Sequence, residues 1–270
     1  TVPYLHDLGL PEEDSVSFKS GFFSKGKQDS QEVEVALIDL DHISNFTDFE
    51  PFLGEPDVSL TVVKPGQDLG RPDAVIIPGS KNVIHDLTRL IQSGVGPQIL
   101  ELAAAGRAEI VGICGGYQML GRTIRDPYGL ESSGERMDGL GLLPMSTVLE
   151  KEKTLTLCKG VHLESGQPVQ GYEIHHGRDQ VPALRPVIEL EDGTLAGAAS
   201  DGLVWGVYWH GVFDSDGFRR WFIDRLRVRK GLPAKGEICC RYDIEPALDR
   251  LAEVVRQSLD MEAIYRLLKL

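Results

Sequence analysis

The chain of 270 residues is poor in cysteine, short of basic charge and free of long apolar runs. Its four cysteines are Cys114, Cys158, Cys239 and Cys240, one adjacent pair and two distant singles. That spacing builds neither a zinc knuckle nor a disulfide framework, so a reducing, cytoplasmic setting is the simpler expectation. No apolar stretch approaches the roughly 20 residues of a membrane-spanning helix. The opening residues do not read as a secretory signal. Basic residues number 28 against 41 acidic ones, for a formal net charge of -13. This balance disfavours nucleic acid and anionic membrane as partners. There is no GxxxxGK[ST] phosphate loop, and the stretch Gly21 to Gly26 before Lys27 has no nucleotide-binding context.

What is present is an ordinary globular balance, 41% hydrophobic and 26% charged residues, enough for a substantial core. Val33 to Asp39, Ser59 to Val63, Ala74 to Ile77 and Glu109 to Cys114 read as strands, rich in β-branched residues. Asn82 to Gln92 has helical periodicity, and Pro97 to Ala105 is a second helix with proline in its first turn. Tyr117 to Leu120 opens a third. This alternation predicts an α/β domain with a mostly parallel sheet and chemistry at the carboxyl ends of its strands. Short strands are expected over Leu140 to Leu149, Thr154 to Leu157, Val169 to His175, Val187 to Leu190 and Val204 to Trp209. Phe218 to Leu226 follows as a helix, Gly231 to Gly236 as a linker, and Pro246 to Leu268 as one terminal helix or a bent pair.

The sharpest local feature is Cys114, set between a strand and a helix with Gly112 and Gly116 close by. A tight turn presents a side chain instead of packing it, and helix-start N–H groups there can favour a thiolate and hold an oxyanion. Taken alone, Cys114 reads equally as a small buried hydrophobe. A cysteine acyl-transfer centre needs a base. His210, directly after an apolar strand and before Gly211, is the best placed; His175 and His176 also follow a strand candidate. Pro78-Gly79-Ser80 could supply a further oxyanion donor. His175, His176 and His210 with Glu173 do not make a metal site, because neighbours on a strand point to opposite faces. No metal is expected.

Gly112 to Gly121 (GICGGYQMLG) resembles the nucleophile motif of class I glutamine amidotransferases, in the branch found in the cobalamin pathway. Pro78 to Asn82 (PGSKN), Gly171 to His175 (GYEIH) and Tyr208 to Asp214 (YWHGVFD) are similar to the C-terminal part of cobyric acid synthases, as are Tyr4 to Val16 and Asp249 to Leu268. The resemblance implies a three-layer flavodoxin-like fold with later antiparallel strands. It divides the chain into a connector from a missing N-terminal synthetase domain (1–30), an amidotransferase domain (31–230) and a helical extension packed on that domain (231–270).

It further implies that Cys114 is the nucleophile and His210 its base. Gly79 and Gly115 would form the oxyanion hole, and Gln118 would contact the bound glutamine. The acid usual in class I members two residues after the histidine is Val212 here, with Glu173 and Asp214 as candidate substitutes; His175 would shape the site. The partner implied is an ATP-dependent synthetase domain, fused or separate, which would hold the ATP and Mg2+ and amidate corrinoid carboxylates. Related amidating systems, a cobyrinate diamide synthase or cell-wall glutamate amidation, share these motifs. A cysteine hydrolase on the same kind of sheet and a non-catalytic assembly module with a vestigial Cys114 also remain as readings.

Overall fold

A computed structural model describes residues 1–5, 8, 10, 31–132, 136–180, 184–200 and 202–269. The expected connector over 1–30 lies almost entirely outside them. The first strands are β1 (Val33–Ile38), β2 (Val58–Val63), β3 (Ala74–Ile77) and β4 (Glu109–Ile113). Helices α1 (Val83–Gln92) and α2 (Val95–Ala104) connect β3 to β4, and α3 (Gly115–Leu120) follows β4 directly. The Asn82 side chain caps α1 by accepting from the His85 N–H.

A second group of strands follows: β5 (Thr123–Arg125), β6 (Arg136–Asp138), β7 (Ser146–His162), β8 (Pro168–Gln180), β9 (Ile188–Leu190) and β10 (Leu195–Ala196). Then β11 (Ala198–Ala199) and β12 (Val204–Val207) return to the first sheet. Helices α4 (Asp216–Arg229), α5 (Glu245–Ser258) and α6 (Met261–Leu268) complete the described chain.

The central sheet has the order β11-β12-β4-β3-β1-β2, and every neighbouring pair is parallel except β11 with β12. This is the doubly wound pattern, with strand order reversing beside β1. Its strands are buried on both faces, hence their near-continuous apolar runs. Two adjacent residues of β12 show what covers each face. Trp205 packs among Phe213, Phe218 and Phe222, the last two on α4, whereas Gly206 meets the Tyr117 ring of α3. Since strand neighbours point oppositely, α3 and α4 sandwich the sheet.

The second sheet departs from the expected short strands. Leu140 to Leu149 and Thr154 to Leu157 do not form separate strands; Ser146 to His162 is one long strand, paired antiparallel with β8 across an irregularity between Leu149 and Thr154. An extra loop of backbone absorbed as a bulge lets one strand continue where sequence punctuation suggests two. The terminal segment forms a bent pair of helices, α5 and α6, joined at Asp260, whose side chain accepts from the Ala263 N–H.

The short strands β5, β6, β10 and β11 escape the sequence reading, as does a 3-10 helix over Phe46–Gly54 that contains Pro51. Its far end is tied to α4 by buried ion pairs. Arg219 Nε donates to Glu55 at 2.8 Å, Arg220 Nη1 to Asp57 at 2.9 Å, and Arg227 Nη1 to Asp57 at 3.1 Å. Burial alone would raise the Asp57 pKa. Hydrogen bonding and charge from Arg220, with Lys235 and Arg227, overcome this and hold it below the usual carboxylate value.

Candidate active site

Cys114 ends β4 and caps α3 with φ 49° and ψ -108°, a left-handed backbone that non-glycine residues rarely adopt. The surroundings leave the chain little alternative. A Cβ on Gly116 would lie 2.0 Å from the Ile77 carbonyl oxygen, and one on Gly112 would meet Gly116 and Tyr117 backbone at 2.7 Å. The two glycines therefore permit a close approach of α3 to the sheet, and the strained turn aims Cys114 outward. Its N–H is held by the Val207 carbonyl of β12, and its Sγ lies 3.9 Å from the Ile174 carbonyl.

His210 comes from the end of β12, which lies parallel beside β4 with Val207 opposite Ile113. The pairing brings Cys114 and His210 to the same sheet edge. His210 is 1% exposed, and its backbone forms an antiparallel bridge with Tyr172 of β8, whose ring stacks on the imidazole at 5.3 Å.

The acid behind His210 is Asp48, on the 3-10 helix. His210 Nδ1 donates to Asp48 Oδ2 at 2.7 Å, and Gly211 N–H and Asn45 Nδ2 donate to Asp48 Oδ1, each at 2.9 Å. Burial alone would depress the His210 pKa. Hydrogen bonds with Asp48 and Cys114, together with their charges, outweigh it and raise the pKa to about 10. The imidazolium form is thus held well above neutral pH.

Neither acid suggested by the sequence takes this place. Glu173 accepts from Trp209 Nε1 at 2.9 Å, and its other oxygen pairs with His175 at 3.3 Å. Asp214 lies beside Gly211, and its buried Oδ1 has no hydrogen-bond partner among the described residues. Burial and the Asp48 charge push its pKa up to about 7, so it is a poor anion for orienting an imidazolium. The signal for Asp48 was slight: one of two acids, with Glu50, among the aromatics of Phe46 to Phe52, a pattern that by itself suggests only a half-buried turn.

The remaining expected residues surround one cavity of about 430 Å³, lined by Cys114, Gly115, Gln118, Ser44, Tyr172, His175 and His210 among others. Gly79 closes one side: a Cβ there would lie 2.8 Å from His210 Cε1 and 3.5 Å from Cys114 Cβ. Gly115, first residue of α3, packs against the Ser80 backbone, and its N–H has no acceptor within the helix. Gln118 Nε2 donates to Tyr208 OH at 3.3 Å, and Tyr208 OH donates to the half-buried Asp179 at 2.7 Å. His175 stacks on Tyr208 at 3.7 Å with Nδ1 on the Gly177 carbonyl, so it braces the wall.

Two groups among the described residues bring ligand-type atoms together, His42, His85 and Asp86, and Glu55, Asp57 and Cys239. The first is knit by hydrogen bonds, with Ser80 Oγ also donating to Asp86 at 2.6 Å; Glu55 and Asp57 are engaged by arginines. His175, His176 and His210 do not converge; His176 turns to the Glu150 carbonyl. No helix among the described residues is long and apolar enough to cross a membrane.

The chain is similar to several curated proteins. It is 42% identical to the cobyric acid synthase of Nitratidesulfovibrio vulgaris, with all of this chain and 57% of that protein covered. It is 43% identical to the cobyric acid synthase of Geobacillus kaustophilus, over 99% and 54% respectively. It is 45% identical to the adenosylcobalamin biosynthesis bifunctional protein CobDQ of Leptospira interrogans, over 100% and 31%. The chain thus spans about half or less of the length of these relatives. Among solved structures, a glutamine amidotransferase shares the fold at a TM-score of 0.54 and 14% identity, covering 73% of this chain and 99% of that one. A putative GMP synthase component from Thermoplasma acidophilum does so at 0.52 and 17%, over 74% and 96%. Residues 34–218, from β1 into α4, match the CobB/CobQ-like glutamine amidotransferase domain, and the chain belongs to that family.

Proposed function

We propose that the cavity is a glutaminase site in which Cys114 is the nucleophile and His210 its acid and base, oriented by Asp48. The observation that carries this reading is the buried Cys114–His210–Asp48 series opening on a cavity walled by Gln118. The Cys114 thiolate attacks the side-chain amide carbon of glutamine, forming a C–S bond. The N–H groups of Gly79 and Gly115 hold the resulting oxyanion. Protonated His210 delivers its proton to the departing nitrogen, the C–N bond breaks, and ammonia leaves a thioester. Water then gives a proton to His210 and attacks the thioester carbon; cleavage of the C–S bond returns the thiolate and releases glutamate.

In this reading the ammonia serves an ATP-dependent synthetase part, fused or separate, that amidates peripheral carboxylates of a corrinoid. ATP and Mg2+ belong to that part. The relatives' names support the corrinoid acceptor, and their greater length supports a further functional half. The protein works in the cytoplasm, where glutamine and ATP are supplied.

Cys114→Ser tests the core of the proposal. It is expected to retain glutamine binding and lose turnover, together with covalent labelling by a glutamine-mimicking electrophile. Undiminished glutaminase activity in C114S excludes the mechanism. His210→Ala should be equally inactive; an unchanged rate there would transfer the role of base to His175. Amidation of a corrinoid diamide, compared with a glutamyl cell-wall acceptor, in the presence of the synthetase half distinguishes the acceptor classes.

A further inference from the structure

One face of the β7–β8 ribbon is covered by the domain at Tyr172 and Ile174 of β8 but left open at Leu155 and Leu157 of β7. Register places Leu155 opposite Ile174 and Leu157 opposite Tyr172, so these four side chains share a face. Tyr172 and Ile174 line the Cys114 cavity. Leu155 and Leu157 prolong that wall outward and are 73% and 88% exposed. Farther along the same face, Val161 stands opposite Pro168, and both line a separate groove of about 920 Å³. An apolar patch therefore sits at the mouth of the catalytic cavity, and the Lys159–Gln170 pair on the same face separates it from a second, larger depression. The other face of the ribbon buries Cys158 and Val169 against the body. A strand whose inner face is packed normally turns polar side chains to water, which makes two exposed leucines here the exception.

We propose that this face seats the synthetase part of the longer polypeptide found in the cobyric acid synthases, whether fused or a separate chain. The inference rests on the glutaminase reading above. The occupant follows from two observations. The cobyric acid synthases extend well beyond the region this chain matches, which covers 57% and 54% of two of them. The exposed stripe also begins at the cavity where ammonia would be formed. Ammonia released to water at neutral pH is protonated and no longer nucleophilic, so its acceptor site must seal against the cavity mouth. An apolar patch joined to that mouth and bracketed by Lys153 and Lys159 suits a partner surface with an apolar centre and an acidic rim.

The test pairs this chain with the portion of the Nitratidesulfovibrio vulgaris cobyric acid synthase that it does not match. Leu155→Asp/Leu157→Asp is compared with the unaltered chain. The double variant should keep its circular dichroism spectrum and electrophile labelling of Cys114. Its Kd for the partner should rise about 10²-fold. Glutamine-dependent amidation should fall accordingly, while amidation with ammonium salts stays unchanged. Equal affinity of the variant and the unaltered chain overturns the proposal, as does failure of the unaltered chain to bind. A dimer of this chain alone that L155D/L157D dissociates also overturns it, by assigning the face to a second copy. Failure of Cys114 to label even in the presence of the partner instead sinks the glutaminase reading itself. A milder Leu155→Ser/Leu157→Ser variant replaces the double aspartate if the latter does not fold.

Discussion

His210 Nδ1 donates to Asp48 Oδ2 at 2.7 Å across 162 positions of sequence. The bond fixes the tautomer and the plane of the imidazole, so that its other nitrogen is directed to Cys114 chemistry. Asp48 is held in turn by Asn45 and Gly211, and its helix by the arginines of α4.

Asp48→Asn removes the anion while preserving shape. The glutaminase rate is expected to fall by on the order of 10² or more. The high-pH limb of the rate profile, set by His210 near pH 10, should move to lower pH. The sign for stability follows from the raised folded-state pKa. The coupling contributes fully below the ordinary value of 6.5 and is lost as pH rises through about 10. Urea unfolding should therefore separate the variant from the unaltered protein at pH 6, and the gap should narrow above pH 10.

Asp214→Asn is expected to act in the opposite direction. Burial and the charge of Asp48 raise the Asp214 pKa to about 7, so the folded state keeps a proton that the unfolded chain releases near 3.8. The stability associated with this group is present at low pH and declines as pH rises from about 4 through 7. D214N should gain on the unaltered protein over that window, measured by thermal unfolding at pH 5 and pH 8. A constant difference between the two would remove Asp214 from the titrating groups.

Gly79→Ala should spare the fold and damage catalysis. The added methyl would lie 2.2 Å from Ser44 Oγ and 2.8 Å from His210 Cε1. Ser44 can rotate, but the imidazole is fixed by Asp48 and must shift. Loss of about 10²-fold in kcat, with thermal stability reduced by only a few degrees, is the expected pattern.

Asp57→Ala tests the support beneath the site. It removes the carboxylate shared by the buried Arg220 and Arg227, leaving Arg227 with backbone carbonyls alone while Arg220 keeps Glu55 and Asp224. Breaking one side of such a pair costs about 3–5 kcal/mol. For a chain of this size the melting temperature should fall by roughly 10 °C. Part of that loss should pass to activity, because the same ion pairs fix the 3-10 helix that carries Asp48.

Much of the fold was legible from local pattern. The apolar runs at Val33, Ser59, Ala74 and Glu109 are strands because two-sided burial demands continuous β-branched residues, and α1 follows its Asn82 cap. The turn at Cys114 was legible too, since Gly112 and Gly116 mark a close helix–sheet approach that few other residues permit. Both depend on neighbours in sequence. Three features had no such signal. Arg219, Arg220 and Arg227 look like the solvent side of α4, yet they are buried, because acids more than 160 positions away neutralise them. The length of β7 depends on how its irregularity is accommodated against β8. The identity of the acid behind His210 was decided by the packing of the Phe46–Gly54 helix over the sheet edge. Sequence alone determined the parallel strands of the central sheet, the helices α1 and α2 and the turn that presents Cys114, since short-range sterics and burial periodicity dictate them. Only the tertiary structure decided that Asp48 stands behind His210, because a hydrogen bond between distant segments leaves no mark on either one until the chain has folded.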